Sequence, residues 1–153
     1  MTNTEEKQVT TNTADVQGGV IERVTGPLVR ASGMSDAKLY EVVKVSDEKL
    51  LGEIIELHGD VAAIQVYEET AGVGPGDPIF RTGRTMSVAL APGLLESIYD
   101  GVQRPLQKIE EAAGNHFIKR GIEADAIDMA KKWQFSPVVK VGDAVVEGDV
   151  LGE

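Results

Sequence analysis

The feature that most constrains this chain is how often it turns. Between residues 20 and 90 every β-branched run is halted within a few residues by Gly, Pro or a Ser-Asp pair. Gly26-Pro27 stops "GVIERV", Gly33 stops "PLVRAS", and Ser46-Asp47 closes "LYEVVKV". In "LLGEIIELHGDVAAIQVYEE" two apolar runs flank His58-Gly59-Asp60. This reads as a hairpin with a three-residue turn, Gly59 taking the left-handed conformation. "TMSVALA" reads as the last strand. Strands this short cannot form a broad open sheet. A domain of roughly 70 residues has little area with which to cover an exposed edge. The pattern predicts a small closed antiparallel β-barrel over residues 19–91.

Ahead of it, residues 1–18 are polar and Thr/Asn-rich, with too little apolar surface to offset ordering entropy. They read as a disordered tail, with order beginning at Val20. After it the period changes. "PGLLESIYDG" predicts a short helix from Pro92 ending at Gly101. "RPLQKIEEAAG" predicts a second, with Pro105 at its first position, Leu106, Ile109 and Ala113 on one face, and Gly114 just past its end. "IEADAIDMAKKWQF" predicts a third, with Ile122, Ala126, Met129 and Trp133 on one stripe. Residues 92–135 thus form a helical elbow with connecting helices. Pro137 breaks the pattern, and residues 136–153 return to β as the start of a β-rich domain that stops before its partners appear. There "VKVGD" is echoed by "VVEGD". The fold class expected is mainly β with some α.

Composition excludes several functions. The net charge of -10 opposes a phosphate backbone. The barrel's aromatics, Tyr40, Tyr67 and Phe80, are too few for a base-stacking platform, so no nucleic-acid partner is expected. No apolar run nears the ~18 residues of a membrane span, and the start carries no signal-peptide pattern; a cytosolic location follows. The chain has no Cys, which removes disulfides and thiolate metal sites. No Lys follows a Gly, so a phosphate loop is absent. Gly72, Gly74 and Gly76 in "AGVGPGDP" approach a dinucleotide fingerprint, but Pro75 lacks an amide for an anion; the stretch reads as a turn between strands. His58 and His116 lack metal-ligand spacing and read as two separate surface or packing residues. Glu68-Glu69, Glu110-Glu111 and Asp125/Asp128 have the chemistry for acid–base work, but each lies where solvated charge is usual. No residue is assigned a catalytic, cofactor-binding or metal role.

"SIYDGVQRPL" lies where the β-rich and helical parts meet. Ile98 and Tyr99 offer a buried side. Asp100 and Arg104 are close enough to pair, or to satisfy free backbone groups; the plainer alternative leaves both solvated. The stretch reads as an elbow that fixes an angle.

Together, "GVIERVTGPLV", "LLGEIIELHGDVAAIQVYEETAGVGPGDP", "MSVALAPGLLESIYDGVQRPL" and "KKWQFSPVVKVGDAVVEGDVLGE" resemble the N-terminal part of the catalytic A subunit of archaeal-type and vacuolar-type rotary ATP synthases. The resemblance runs from about Gly19 to Glu153. It implies a barrel that packs with neighbouring barrels into a ring, an elbow leading to a nucleotide-binding body, and the start of an insert. The parent it implies is an enzyme that makes or hydrolyses ATP, coupled to proton or sodium movement. Its cofactor is Mg-ATP or Mg-ADP, and this segment carries none. Its partners are other A subunits and alternating B subunits in a hexameric head, with central and peripheral stalk subunits. The complex sits peripherally on the cytoplasmic side of the membrane, with no direct insertion by this segment. Two other readings remain: a stand-alone barrel adaptor for a protein partner, and a lipoyl- or biotinyl-like carrier fold lacking its Lys.

Overall fold

The computed structural model describes residues 16–114 and 119–153. Six strands close into an antiparallel barrel: β1 (Val16–Thr25), β2 (Leu28–Ser32), β3 (Glu41–Val45), β4 (Leu50–His58), β5 (Val61–Val66) and β6 (Pro78–Thr85). Their order around the barrel is β1-β2-β5-β4-β3-β6. Every strand therefore has two neighbours and no edge is left open. Alternation sets the inside. Val43 and Val45 of β3, Val29 and Ala31 of β2, Leu50 and Ile54 of β4, and Ala62, Ile64 and Val66 of β5 are all buried, with Ile21, Met34 and Ile79 completing the core. At Gly52 a Cβ would come within 2.9 Å of Ile64 Cγ2. Glycine lets β4 and β5 close tightly at that point.

So small a barrel needs bent strands, and bulges bend them. β1 has one between Ile21 and Arg23 against β2, and another between Gln17 and Gly19 against β6. It thus serves two neighbours along one length. The expected hairpin is present, but His58 pairs with Val61, which leaves a two-residue loop, Gly59-Asp60. Gly59 has φ 62, as expected of the turn glycine.

Several expectations need correction. β1 begins at Val16, ahead of Val20, because Val16 and Gln17 pair with Arg81 and Phe80. The rest of the expected tail, residues 1–15, lies outside the described residues. The last strand is Pro78–Thr85, not "TMSVALA". Both ladders of β6 have ended by Thr85, so residues 86–91 find no strand to pair with, and Val88 and Leu90 are exposed.

Beyond the barrel, Pro92–Glu96 makes only a 3-10 turn, and Ser97 is extended. The helix expected to reach Gly101 therefore stops early, and Ile98, expected to be buried, is exposed. α1 (Leu106–Ala113) starts one residue after Pro105, which caps it. Ile109 is buried on the expected face, and Gly114 ends the helix with φ 69. The third expected helix is absent from residues 122–135. Its stripe is not buried as a face: Ile122 and Ala126 are half-buried, but Met129 is 85% exposed and Trp133 is exposed. A short amphipathic helix without burial is marginal, and Asp128 Oδ1 instead accepts the Ala130 amide in a local turn.

The echo at residues 139–149 appears as twin turns. Lys140 and Val146 each donate their backbone N–H to the carboxylate of the Asp three residues on, Asp143 at 2.8 Å and Asp149 at 2.9 Å. Gly142 and Gly148 take φ 102 and φ 95. A bridge between Pro137 and Gly152 ties the ends of this segment together.

Candidate functional site

The site begins where β5 leaves the barrel. Tyr67 N–H still bonds the Leu51 carbonyl at 2.9 Å, extending the ladder by one residue. That fixes the direction of Glu68, whose Oε1 turns back and accepts Leu51 N–H at 3.0 Å. Its other oxygen, Oε2, faces the elbow. It accepts Arg104 Nη1–H at 3.1 Å and Gly121 N–H at 2.8 Å. The Glu68 side chain is 6% exposed and that of Arg104 is 17% exposed.

The elbow is shaped by Asp100. Its Oδ1 accepts the amides of Val102 and Arg104 at 3.0 Å and 2.8 Å, while Oδ2 accepts Arg104 Nε–H at 2.7 Å. Tyr99 bridges Pro105, and Leu106 N–H reaches the Ile98 carbonyl at 3.0 Å. "SIYDGVQRPL" is therefore a tight loop whose ends run together into α1. Gln103, not Gly101, takes the left-handed conformation, at φ 61. Its side-chain amide offsets that strain by pairing both ways with Ala89: Ala89 N–H to Oε1 and Nε2–H to Ala89 O, each at 2.7 Å. Burial pushes the Asp100 carboxyl up, but the Arg104 and Val102 amides and the guanidinium outweigh it and hold it below its ordinary value. For Arg104, burial opposes the charge, yet Asp100 and Glu68 keep its pKa raised.

A third segment docks at the same place. Arg120 pairs with Glu48, Nε to Oε2 at 2.7 Å, and donates to the Ala71 carbonyl. Glu123 pairs with Lys44 of β3. Gly121 has φ 70, and a Cβ there would fall on the Glu48 carbonyl oxygen. Beside this joint lies an open cleft of about 430 Å³, lined by Lys44, Thr82, Arg84, Met86, Gln103 and Arg104 among others.

A second ionic centre was not foreseen. Glu41, on β3, is 1% exposed. It holds Arg81 in a two-point pair, Nε to Oε1 at 3.0 Å and Nη2 to Oε2 at 2.9 Å. It also accepts the Lys38 and Gly83 amides, at 3.1 Å and 2.9 Å. Burial raises its pKa; Arg81 and the two amides more than reverse that and leave it below the ordinary value. The signal was present in "EVVKV", where alternation puts Glu41 on the same face as Val43 and Val45.

The other residues singled out in the sequence do not converge. His58 sits beside Glu56 at 2.6 Å on an exposed hairpin, and His116 lies outside the described residues. Among the described residues no group of His, Cys, Asp and Glu is arranged to hold a metal. Gly72, Gly74 and Gly76 form the expected turn between strands: Gly74 N–H bonds Asp77 Oδ2 at 3.0 Å, and Gly76 N–H bonds Ile21 O at 2.8 Å. Glu69 offers its carbonyl to Arg120. Asp125 offers its carbonyl to Lys108. Glu110 and Glu111 lie on the exposed side of α1. Tyr67 O–H donates to Glu53 at 2.8 Å, which raises its pKa. Lys49 lies over the Phe80 ring, and Tyr40 stands exposed at a positive φ.

The described residues thus form a closed six-stranded barrel whose exit carries a loop held by a largely buried ionic cluster of Asp100, Arg104 and Glu68. The family described as "ATP synthase alpha/beta family, beta-barrel domain" matches residues 21–83, and "ATPsynthase alpha/beta subunit barrel-sandwich domain" matches residues 124–153. The chain belongs to the ATP synthase alpha/beta family. Within that family it resembles the A-type and V-type chains. It is 58% identical over 135 residues to the V-type ATP synthase alpha chain of Acetivibrio thermocellus, covering 88% of this chain and 23% of that one. It is 62% identical over 138 residues to the A subunit of the A-type ATP synthase of Pyrococcus abyssi, covering 90% and 14%. With the corresponding A-type chain of Desulfurococcus sp. strain SY it shares 60% identity over 134 residues, covering 88% and 23%. The chain thus spans less than a quarter of the length of these relatives.

Proposed function

We propose that this chain is the barrel-and-elbow segment of the catalytic A subunit of a rotary, ion-translocating ATP synthase. In this reading the barrel, at residues 19–91, packs with the barrels of neighbouring A and B subunits into a ring. The elbow, at residues 92–135, carries the angle from that ring to the nucleotide-binding body, and residues 136–153 begin an insert. The parent makes or hydrolyses ATP with magnesium. This segment supplies no group to that chemistry and acts structurally. Among the described residues no helix is long and apolar enough to cross a membrane, which suits a peripheral head on the cytoplasmic side of the membrane, joined to stalk subunits.

The observation that carries the reading is the closed barrel itself, matched over residues 21–83 by the family's barrel domain. A chimera tests it. Residues 16–153 replace the aligned residues of the Pyrococcus abyssi chain, and the chimera is mixed with the B-type subunits of that enzyme. The expected result is a hexameric head with ATP turnover. A chimera that folds but forms no head would refute the reading and favour a stand-alone adaptor.

A further inference from the structure

Glu68 Oε2 is shared by two segments that approach the barrel from different parts of the chain. Arg104 Nη1 reaches it at 3.1 Å from the elbow, and Gly121 N reaches it at 2.8 Å. The other oxygen is anchored to the barrel through Leu51 N–H. We propose that residues 120–123 are a strap that holds the elbow's angle on the barrel, and that strap and elbow lock and release as one unit through Glu68.

The strap's remaining contacts are the weaker ones. Arg120 and Glu48 are 33% and 46% exposed, and Glu123 is 63% exposed against a Lys44 that is 15% exposed. Exposed pairs of this kind add little. The contact with Glu68 is shielded from water, so it dominates. Coupling follows from charge. Without Arg104, Glu68 is a buried carboxylate held only by backbone amides, and it gains by turning toward water. Turning removes the acceptor of Gly121 N–H. Conversely, lifting the strap wets Glu68 and weakens its hold on Arg104. Gly121 suits the role because its left-handed backbone and the adjacent Glu48 carbonyl leave no place for a side chain. Strap and elbow both belong to this chain, so the coupling needs no neighbouring subunits.

The test is hydrogen exchange by NMR on the 153-residue chain. Arg104→Gln removes the charged donor without touching the strap. Gly121→Ala dislodges the strap without touching the elbow. Arg104→Gln is expected to speed exchange of the Gly121 amide by about tenfold, the scale of a hydrogen bond to a charged group. Gly121→Ala is expected to speed exchange of the Arg104 Nη1–H, the proton that Glu68 accepts, by a similar factor. In both, the barrel amides of Val45 and Ile64 stay protected. If either substitution leaves the other segment's proton unchanged, strap and elbow are independent and the proposal fails. If both variants lose protection at Val45 and Ile64 as well, the joint belongs to the barrel's own cooperative unit, and a separable strap is likewise refuted.

Discussion

Replacing Arg81 with Met would leave Glu41 as a carboxylate 1% exposed, with no counter-charge. Breaking a buried pair from one side costs about 3–5 kcal/mol, because the remaining ion is neither solvated nor paired. Here the Lys38 and Gly83 amides still reach Glu41, at 3.1 Å and 2.9 Å, which puts the cost at the lower end, about 3 kcal/mol. For a domain of this size that is a fall in Tm of about 12–24 °C. The pH dependence gives a sharper check. The folded Glu41 carboxyl lies below its ordinary value of 4.5. A group depressed on folding contributes stability above its unfolded pKa, and that contribution is lost as pH falls through the folded one. The wild-type chain therefore loses this contribution in acid below about pH 4.5. In Arg81→Met the buried carboxyl has lost the largest contribution that held its pKa down, so protonation relieves the variant. The gap in Tm between the two should be widest near neutral pH and should narrow in acid. Thermal melts followed by far-UV circular dichroism measure it. A gap of under about 1 kcal/mol, or one that does not narrow below pH 4.5, would show that Glu41 does not depend on Arg81.

Three further outcomes are expected. Gly59→Val should lower stability by about 1–2 kcal/mol, all of it from left-handed strain, since a Cβ at Gly59 meets nothing within 4 Å; an unchanged melting midpoint would contradict the observed turn. Arg104→Ala should leave the barrel's melting curve nearly intact while loosening the elbow, and in an assembled head it should reduce coupled turnover more than nucleotide affinity; normal turnover would mean that the backbone alone sets the joint. Calorimetry with Mg-ATP on this chain should show no micromolar binding, since the Gly-Lys phosphate cradle is missing from its sequence.

What was legible in the sequence was what is decided locally. Gly-Asp turns are the clearest case. Gly74 to Asp77, Lys140 to Asp143 and Val146 to Asp149 make the same turn, the Asp carboxylate accepting the first residue's N–H. Gly76, Gly142 and Gly148 each supply the positive φ. Four residues contain the whole cause, so four residues suffice to read it. The strands of the barrel were legible for a similar reason, being bounded by Gly, Pro and Ser-Asp breaks that are local to the chain. Alternation without a turn misled. "TMSVALA" has the right period, yet a period states which face a residue takes, not whether a neighbouring strand exists to bury it. The stripe through Ile122, Ala126, Met129 and Trp133 misled in the same way.

The ionic site divides along the same line. Asp100 and Arg104 are four residues apart, and their pairing was one of the alternatives that spacing offered. Glu68 looked like one more solvated loop acid, because its partners Leu51, Arg104 and Gly121 lie 17, 36 and 53 residues away. Glu41 and Arg81 are 40 residues apart; only the inward parity of Glu41 gave a hint, and an acid at an inward strand position implies a partner without naming it. The two kinds of contact do different work. Asp100 sets the shape of the loop, and a loop cut from the chain would keep much of that shape. Glu68 sets where the loop sits on the barrel, which no fragment of the loop contains. The proposed role of transmitting an angle needs both: local bonds so that the elbow does not flex, and a distant anchor so that its stiffness is referred to the barrel. Shape without the anchor would give a rigid loop free to swivel, and the anchor without the shape would fix one end of a soft one.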